Sequence, residues 1–142
     1  MVAKNTRASA RSPLERLRKA CLALPGAWEK LSHGEPTFWA GKRMFASFAN
    51  ADNHHGAGRY AVWCKAAHAT QDMLIARSPQ VYFSPPYAGA SGWVGIYLDA
   101  ATDWTEVAER LRHAHELAAP PKLRGAKRRD ATPGRRGARN GE

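Results

Sequence analysis

Six histidines and two cysteines are the side chains in this chain best suited to hold a metal or attack a substrate. His54 and His55 are adjacent, beside Asp52, in the polar run Asn50 to Gly58 (NADNHHGAG). Adjacent histidines rarely ligate one ion together, and no HxxxH or mixed His/Cys spacing supports them. His33 and His68 stand elsewhere, and His113 and His115, two apart, cannot share a helical face. That spacing asks for no metal and no cofactor. Cys21 and Cys64 form no CxxC pattern and read as reduced thiols, packed as small apolar groups in a cytoplasmic protein. Cys64 with a distant histidine is the one thiol arrangement open to nucleophilic catalysis. It alternates with Tyr60 and Val62, however, which is the pattern of a packed strand residue. Gly89-Ala90-Ser91-Gly92 has no following helix with which to cradle a phosphate. His33 with Glu35 is what remains for an enzyme reading, and the chain is read as non-enzymatic.

The cations point elsewhere. The formal net charge is +10, and its distribution decides what it means. Residues 1–19 hold six Lys/Arg against one acid, and residues 122–142 hold eight against two, so the middle of the chain carries a net −1. Attraction for phosphate therefore resides mainly in the ends. Within the tail, Lys127, Arg128, Arg129, Arg135 and Arg136 suit contact with a polyanion by counterion release, without sequence preference. They equally suit a solubilising tail. In the middle, Lys42 and Arg43 follow Gly41 at a tight turn, the place of a hairpin tip that touches phosphates, and Arg59 and Lys65 flank a strand that would extend the patch.

The elements that must position these residues are legible from punctuation and periodicity. Ser12 as N-cap, Pro13 and Glu15 start a helix whose apolar face is Leu14, Leu17, Cys21 and Leu24, and Pro25-Gly26 ends it. Pro36 to Trp39 and Lys42 to Phe48 read as a hairpin around Ala40-Gly41. Met44, Ala46 and Phe48 are expected on one face and Arg43, Phe45 and Ser47 on the other. Arg59 to Lys65 reads as a third strand, Gln71 to Ala76 as a short helix capped by Thr70, Val81 to Phe83 as a brief strand and Trp93 to Leu98 as a clear one. Asp103 with Glu106 opens the last helix, which Pro120-Pro121 closes. Trp39, Tyr82, Tyr87, Trp93 and Tyr97 belong to strands or their connections, and read either as core or as the lining of one groove.

At 142 residues the chain suits one domain, and no apolar run approaches the roughly 20 residues of a membrane-spanning helix. Met1 to Arg18 lack the apolar centre of a secretory signal. The expected division is a flexible basic arm over 1–11, a domain over 12–121 and a disordered basic tail over 122–142.

His33-Gly34-Glu35-Pro36-Thr37-Phe38-Trp39, followed by Gly41-Lys42-Arg43-Met44-Phe45-Ala46, resembles the G-x-P-T-F…G-K-x-F-A signature of the MmcQ/YjbR-like family. Leu24-Pro25-Gly26, a strand ending at Lys65, Pro85-Pro86-Tyr87, Gly92-Trp93-Val94 and Asp103-Trp104 follow in that family's order. The resemblance implies a single two-layer α+β domain, an antiparallel sheet packed with helices in a CyaY-like arrangement, with a shape like a double-wing DNA-binding module. Where that family's last helix tends to carry a Ser-Tyr pair, this chain has Ala114-His115. Two functions are weighed, the first as the reading adopted from the sequence and the second as its alternative. One is weak, largely charge-driven and nonspecific binding of nucleic acid. The other is a protein-interaction or small-ligand module built on a groove around His33, Glu35, Trp39, Lys65 and Trp93. No membrane partner is expected.

Overall fold

The computed structural model describes residues 12–52 and 58–123. Helix α1 (Pro13–Leu22) starts where its punctuation places it, with the Ser12 hydroxyl accepting the Glu15 amide at 3.2 Å and Pro13 filling the first turn. The last helix, α3 (Trp104–Ala118), is capped by the Asp103 carboxylate, which accepts from the Thr105 and Glu106 amides. Between them lies one antiparallel sheet of β1 (Ala27–Ser32), β2 (Glu35–Ala40), β3 (Arg43–Ala49), β4 (Ala61–Cys64), β5 (Tyr82–Phe83) and β6 (Val94–Tyr97). Its spatial order is β1-β2-β3-β4-β6-β5. Helix α2 (His68–Arg77) carries the chain from β4 to the far edge strand β5, and a 3₁₀ turn (Ala88–Ser91) leads into β6. The chain is thus an α+β domain of the expected kind. Among the described residues no helix is long and apolar enough to cross a membrane.

The sheet buries one face against the helices. Two cross-strand rows line that face: Phe38, Ala46, Cys64 and Val94, then Phe48, Val62, Ile96 and Tyr82. Leu17 and Cys21 of α1, Leu74 of α2 and Val107, Leu111, Ala114 and Ala118 of α3 close over them. Each large apolar side chain taken fully out of water contributes about 1.5–3 kcal/mol, which offsets the entropy of ordering the chain.

Four features differ from the sequence expectation. A strand, β1, precedes the hairpin. Its residues Trp28, Lys30 and Leu31 are exposed, as suits a charged edge, and that mixture hides the strand in the sequence. The Arg18 guanidinium grips Glu29 with two bonds of 2.8 Å, fixing this edge to α1. Second, Phe38 faces Ala46 but Trp39 faces Met44, so Phe45 is an extra residue in β3. This bulge turns Phe45 inward beside Ala46 instead of outward beside Ser47, and its ring meets His115 edge-on at 5.5 Å. Third, α2 begins at His68, with Ala67 as an N-cap that offers no side-chain bond, and Thr70 lies inside the helix. Tertiary contacts replace the cap: a His68 ring nitrogen is 2.9 Å from the Ala90 carbonyl, and Gln71 Nε2 donates to the carbonyls of Gly89 and Trp93. Fourth, Leu123 packs onto the core against Gly26, beyond the boundary expected at 121. The arm 1–11, residues 53–57 with His54 and His55, and the tail from 124 lie outside the described residues.

Ala114 and His115 are both wholly buried, and His115 Nε2 lies 2.7 Å from the Pro25 carbonyl. That contact ties α3 to the turn between α1 and β1. Gly92 holds the other critical turn. Its φ of 98° disfavours any side chain, and an added Cβ would stand 2.7 Å from the Ala66 carbonyl oxygen. Gly92→Ala is therefore expected to lose about 2 kcal/mol or more in urea unfolding, with an unchanged m-value. A loss below about 0.5 kcal/mol, the size of an ordinary surface change, would show that this turn shifts freely.

Candidate ligand groove on the open face of the sheet

The alternation that buries one face of the sheet delivers a second set of side chains to the other. Thr37, Ser47, Trp63 and Gly95 stand in one cross-strand row on that open face. At Gly95 no side chain projects, and the Phe83 ring occupies the space a Cβ would need. Glu35 and Met44 extend the floor, while the turn from Ser32 to Gly34 and the segment Pro86 to Ala88 form the two rims, with Trp93 between them and the floor. The enclosed volume is about 410 Å³, within the range of small-molecule sites.

Its polar groups are few and placed. Thr37 donates to the Glu35 carbonyl at 3.0 Å, and the Thr37 and Ser47 hydroxyls are 3.3 Å apart. Glu35 is only 6% exposed, with the Asn50 amide 3.5 Å from its carboxylate. His33 is exposed on one rim with its Nδ1 3.3 Å from the Ser32 hydroxyl. Among the described residues no Lys or Arg lines the groove.

The two rims share an unusual backbone. His33, at φ 55°, and Tyr87, at φ 64°, are the non-glycine residues with positive φ among the described residues. At His33 this follows from a two-residue hairpin turn completed by Gly34, at φ 81°, where Asn is the more usual first residue. At Tyr87 it is a γ-turn of the rarer sense: φ 64°, ψ −63°, with the Ala88 amide donating to the Pro86 carbonyl at 2.6 Å. The Tyr87 side chain is 85% exposed. A strained turn that holds an aromatic ring out over a cavity costs stability and buries nothing in return.

Of the residues expected in a groove, His33, Glu35 and Trp93 do meet here, with Tyr87. Trp39 shares the face but stacks on Trp28 at 5.5 Å. Tyr82 points to the helix side, its hydroxyl 2.5 Å from Glu106. Tyr97 stacks on Phe83. Lys65 lines a separate cavity of about 140 Å³ with Arg110, His113 and Glu116, its ammonium 6.0 Å from the Trp93 ring centre. Met44, Ser47 and Trp63 carry no chemical signature in the sequence; strand alternation, corrected for the Phe45 bulge, is the one signal that assigns them to this face.

The expected cationic patch is spread out. Lys42 and Arg43 are exposed at the β2–β3 tip, and no described carboxylate lies within 4 Å of either. Arg59 stands at the opposite end of the β3–β4 pair, over the Tyr97 ring at 3.5 Å and 3.7 Å from Asp99. Lys127, Arg128, Arg129, Arg135 and Arg136 lie outside the described residues. The described residues hold twelve Lys/Arg against ten Asp/Glu, a net +2, and Arg18, Arg59, Arg77, Arg110 and Arg112 are paired with acids. Among the described residues no group of three His, Cys, Asp or Glu converges as metal ligands.

Comparison with known proteins places this geometry. The YjbR family model matches residues 22–117, from the end of α1 through α3, and so spans every groove residue. The crystal structure of a Deinococcus radiodurans protein assigned to the domain DUF419 is similar, with a TM-score of 0.64 at 20% identity over 82% of this chain and 86% of that one. That likeness is one of fold. None of the curated proteins compared matches the chain.

The thiols take no part in the groove. Burial pushes Cys64 up to about 12 and holds Cys21 well above the usual thiol range. Both raised values favour the protonated thiol in the fold. The stability they contribute is full below the ordinary thiol range and is lost as pH rises toward about 12. In mildly alkaline buffer, Ellman's reagent is expected to label neither cysteine in the native chain and both in urea. Stoichiometric native labelling would place a thiol at the surface.

Proposed function

The chain belongs to the YjbR family, and from that premise we propose that its domain is a non-enzymatic binding module whose ligand enters the open-face groove. The observation that carries this reading is the coincidence of strain with the cavity. Among the described residues, the two non-glycine residues of positive φ, His33 and Tyr87, border a groove that also holds the buried Glu35. Strained backbone persists where the surroundings over-determine it, and such positions cluster at ligand clamps. The mixture of lining groups, mostly apolar and aromatic with a few convergent polar atoms, is that of a ligand pocket. The His33–Ser32 pair of the lining, 3.3 Å apart, lies on the solvent-exposed rim, which favours binding over catalysis. The two free, buried cysteines fit a reducing compartment, and the cytoplasm is where we place the protein.

A second reading, nonspecific nucleic-acid contact, is favoured by Lys42 and Arg43, two exposed cations without a carboxylate partner at one tip. The tail cations Lys127, Arg128, Arg129, Arg135 and Arg136 would add to it. A body of net +2 among the described residues limits that contact to the tip and the ends.

Two measurements separate the readings. Fragment screening by ¹⁵N chemical-shift mapping is expected to gather hits on the indole N–H signals of Trp63 and Trp93. Tyr87→Ala should weaken those hits by roughly threefold to tenfold while leaving Tm unchanged. Hits that scatter over the surface would overturn the groove reading. Anisotropy of labelled duplex DNA is expected to fall steeply with salt and to vanish when the chain ends at Leu123. Binding that survives both the truncation and high salt would give the domain itself a nucleic-acid site.

A further inference from the structure

We propose that the cavity between α2 and α3, on the helix side of the sheet, is a second ligand site, and that it takes a short-chain monocarboxylate whose head group is held by Arg110 and Lys65. It shares no lining residue with the open-face groove and stands apart from the reading of that groove.

Arg110, His113 and Leu117 recur along α3 at intervals of three and four and so share one face, while Lys65 directly follows the end of β4. They border a cavity of about 140 Å³ that also takes in Cys64 and Val94 from the buried row of the sheet and Thr70 of α2. Arg110 carries the proposal. Its side chain is only 15% exposed, and its Nε is buried with no hydrogen-bond partner. Its one acid is Glu106, 4.0 Å away, and the same Glu106 oxygen already takes the Tyr82 hydroxyl at 2.5 Å and an Arg77 nitrogen at 3.2 Å. Among the described residues nothing accepts a hydrogen bond from the Arg110 guanidinium. A nearly buried charge with unfilled donors is costly, and what it lacks is an acceptor. Lys65 is the second cation without one: no described carboxylate lies within 4 Å of it, and its ammonium stands 6.0 Å from the Trp93 ring centre.

The rest of the lining selects the kind of anion. Lys65 and Arg110 stand against one acid, Glu116, so with His113 neutral a single negative charge balances the site. A phosphoryl group, at about −1.5 to −2 near neutral pH, overfills that balance. The planar fork of a guanidinium matches the two oxygens of a carboxylate, while the Lys65 ammonium adds a point charge and the Thr70 hydroxyl a further donor. Leu74, Val94 and Leu117 make the remaining wall apolar, where an alkyl tail leaves water favourably. The cavity is smaller than the roughly 300–1,000 Å³ of drug-sized sites, so that tail is a few carbons long. His113 and Leu117 are exposed and mark its opening to solvent.

The test titrates the full-length, ¹⁵N-labelled chain with sodium butyrate, its uncharged counterpart butyramide and inorganic phosphate, at an ionic strength held constant with chloride. Butyrate is expected to shift the Arg110 Nε–H and Thr70 amide signals saturably, at least about tenfold tighter than butyramide and tighter than phosphate. Arg110→Met should weaken butyrate at least about tenfold, yet in chloride its Tm should equal or exceed that of the parent chain, because a buried charge short of acceptors has been removed. Lys65→Met, at a partly exposed position, should weaken butyrate about threefold with Tm unchanged. Equal binding of butyrate and butyramide, or shifts that follow ionic strength alone, would overturn the site. So would an Arg110→Met chain that melts several degrees lower with and without butyrate, which would make Arg110 a structural residue. Phosphate binding tighter than butyrate would overturn the carboxylate assignment. Should Arg110→Met fail to fold, an unchanged butyrate affinity in Lys65→Met would overturn the proposal by itself.

Discussion

An antiparallel sheet with helices on one side has to bury that side completely, and this one-sided burial is the constraint on which the rest of the molecule depends. The rows Phe38-Ala46-Cys64-Val94 and Phe48-Val62-Ile96-Tyr82 are dry because α1, α2 and α3 cover them. Everything with the opposite parity is left without a helix. Trp39 covers itself with Trp28, and Phe83 lies over Gly95. What remains between these two local coverings is the groove. Its existence follows from the layer architecture; its chemistry follows from which residues happen to have outward parity.

Placement of charge follows the same separation. Five of the twelve described cations pair internally: Arg18 with Glu15 and Glu29, Arg77 and Arg110 with Glu106, Arg112 with Glu109, Arg59 with Asp99. Most are exposed pairs that contribute little stability singly, and the near balance of twelve cations with ten acids leaves the described body only weakly basic. The basic character of the chain therefore belongs mainly to its ends. A protein with this layout can combine an electrostatic contact made by its ends with a ligand held by its body. Neither needs the other.

The turns around the groove carry its stored strain. Gly92, at φ 98°, lets the chain pass against the Ala66 carbonyl and so delivers Trp93 to the wall, while Gln71 of α2 bonds the carbonyls of Gly89 and Trp93 from behind. The γ-turn at Tyr87 sits on that braced segment. Bracing of this kind is what allows a costly local conformation to persist. It also makes the wall rigid before a ligand arrives, which lowers the ordering cost of binding.

Local spacing alone determined a good part of this protein. Ser12, Pro13 and Glu15, then Asp103 and Glu106, mark helix starts because a cap acts over three residues. Gly41 marks the β2–β3 hairpin because only the turn itself needs φ above zero. Charge at the two ends was likewise plain, since no folding is required to count it. The groove was half visible: His33, Glu35, Trp93 and Tyr87 stand out by type, whereas Met44, Ser47 and Trp63 do not. What the spacing could not contain was pairing at long range. The Phe45 bulge exists because β2 and β3 slip by one residue, and that slip reverses the side to which an aromatic ring points. The start of α2 depends on Gln71 and His68 reaching carbonyls some twenty residues away, and His115 is placed by a carbonyl ninety residues before it. Strand parity, edge position and the meeting of two distant turns over one cavity are properties of contacts between segments, so only the tertiary structure could decide them.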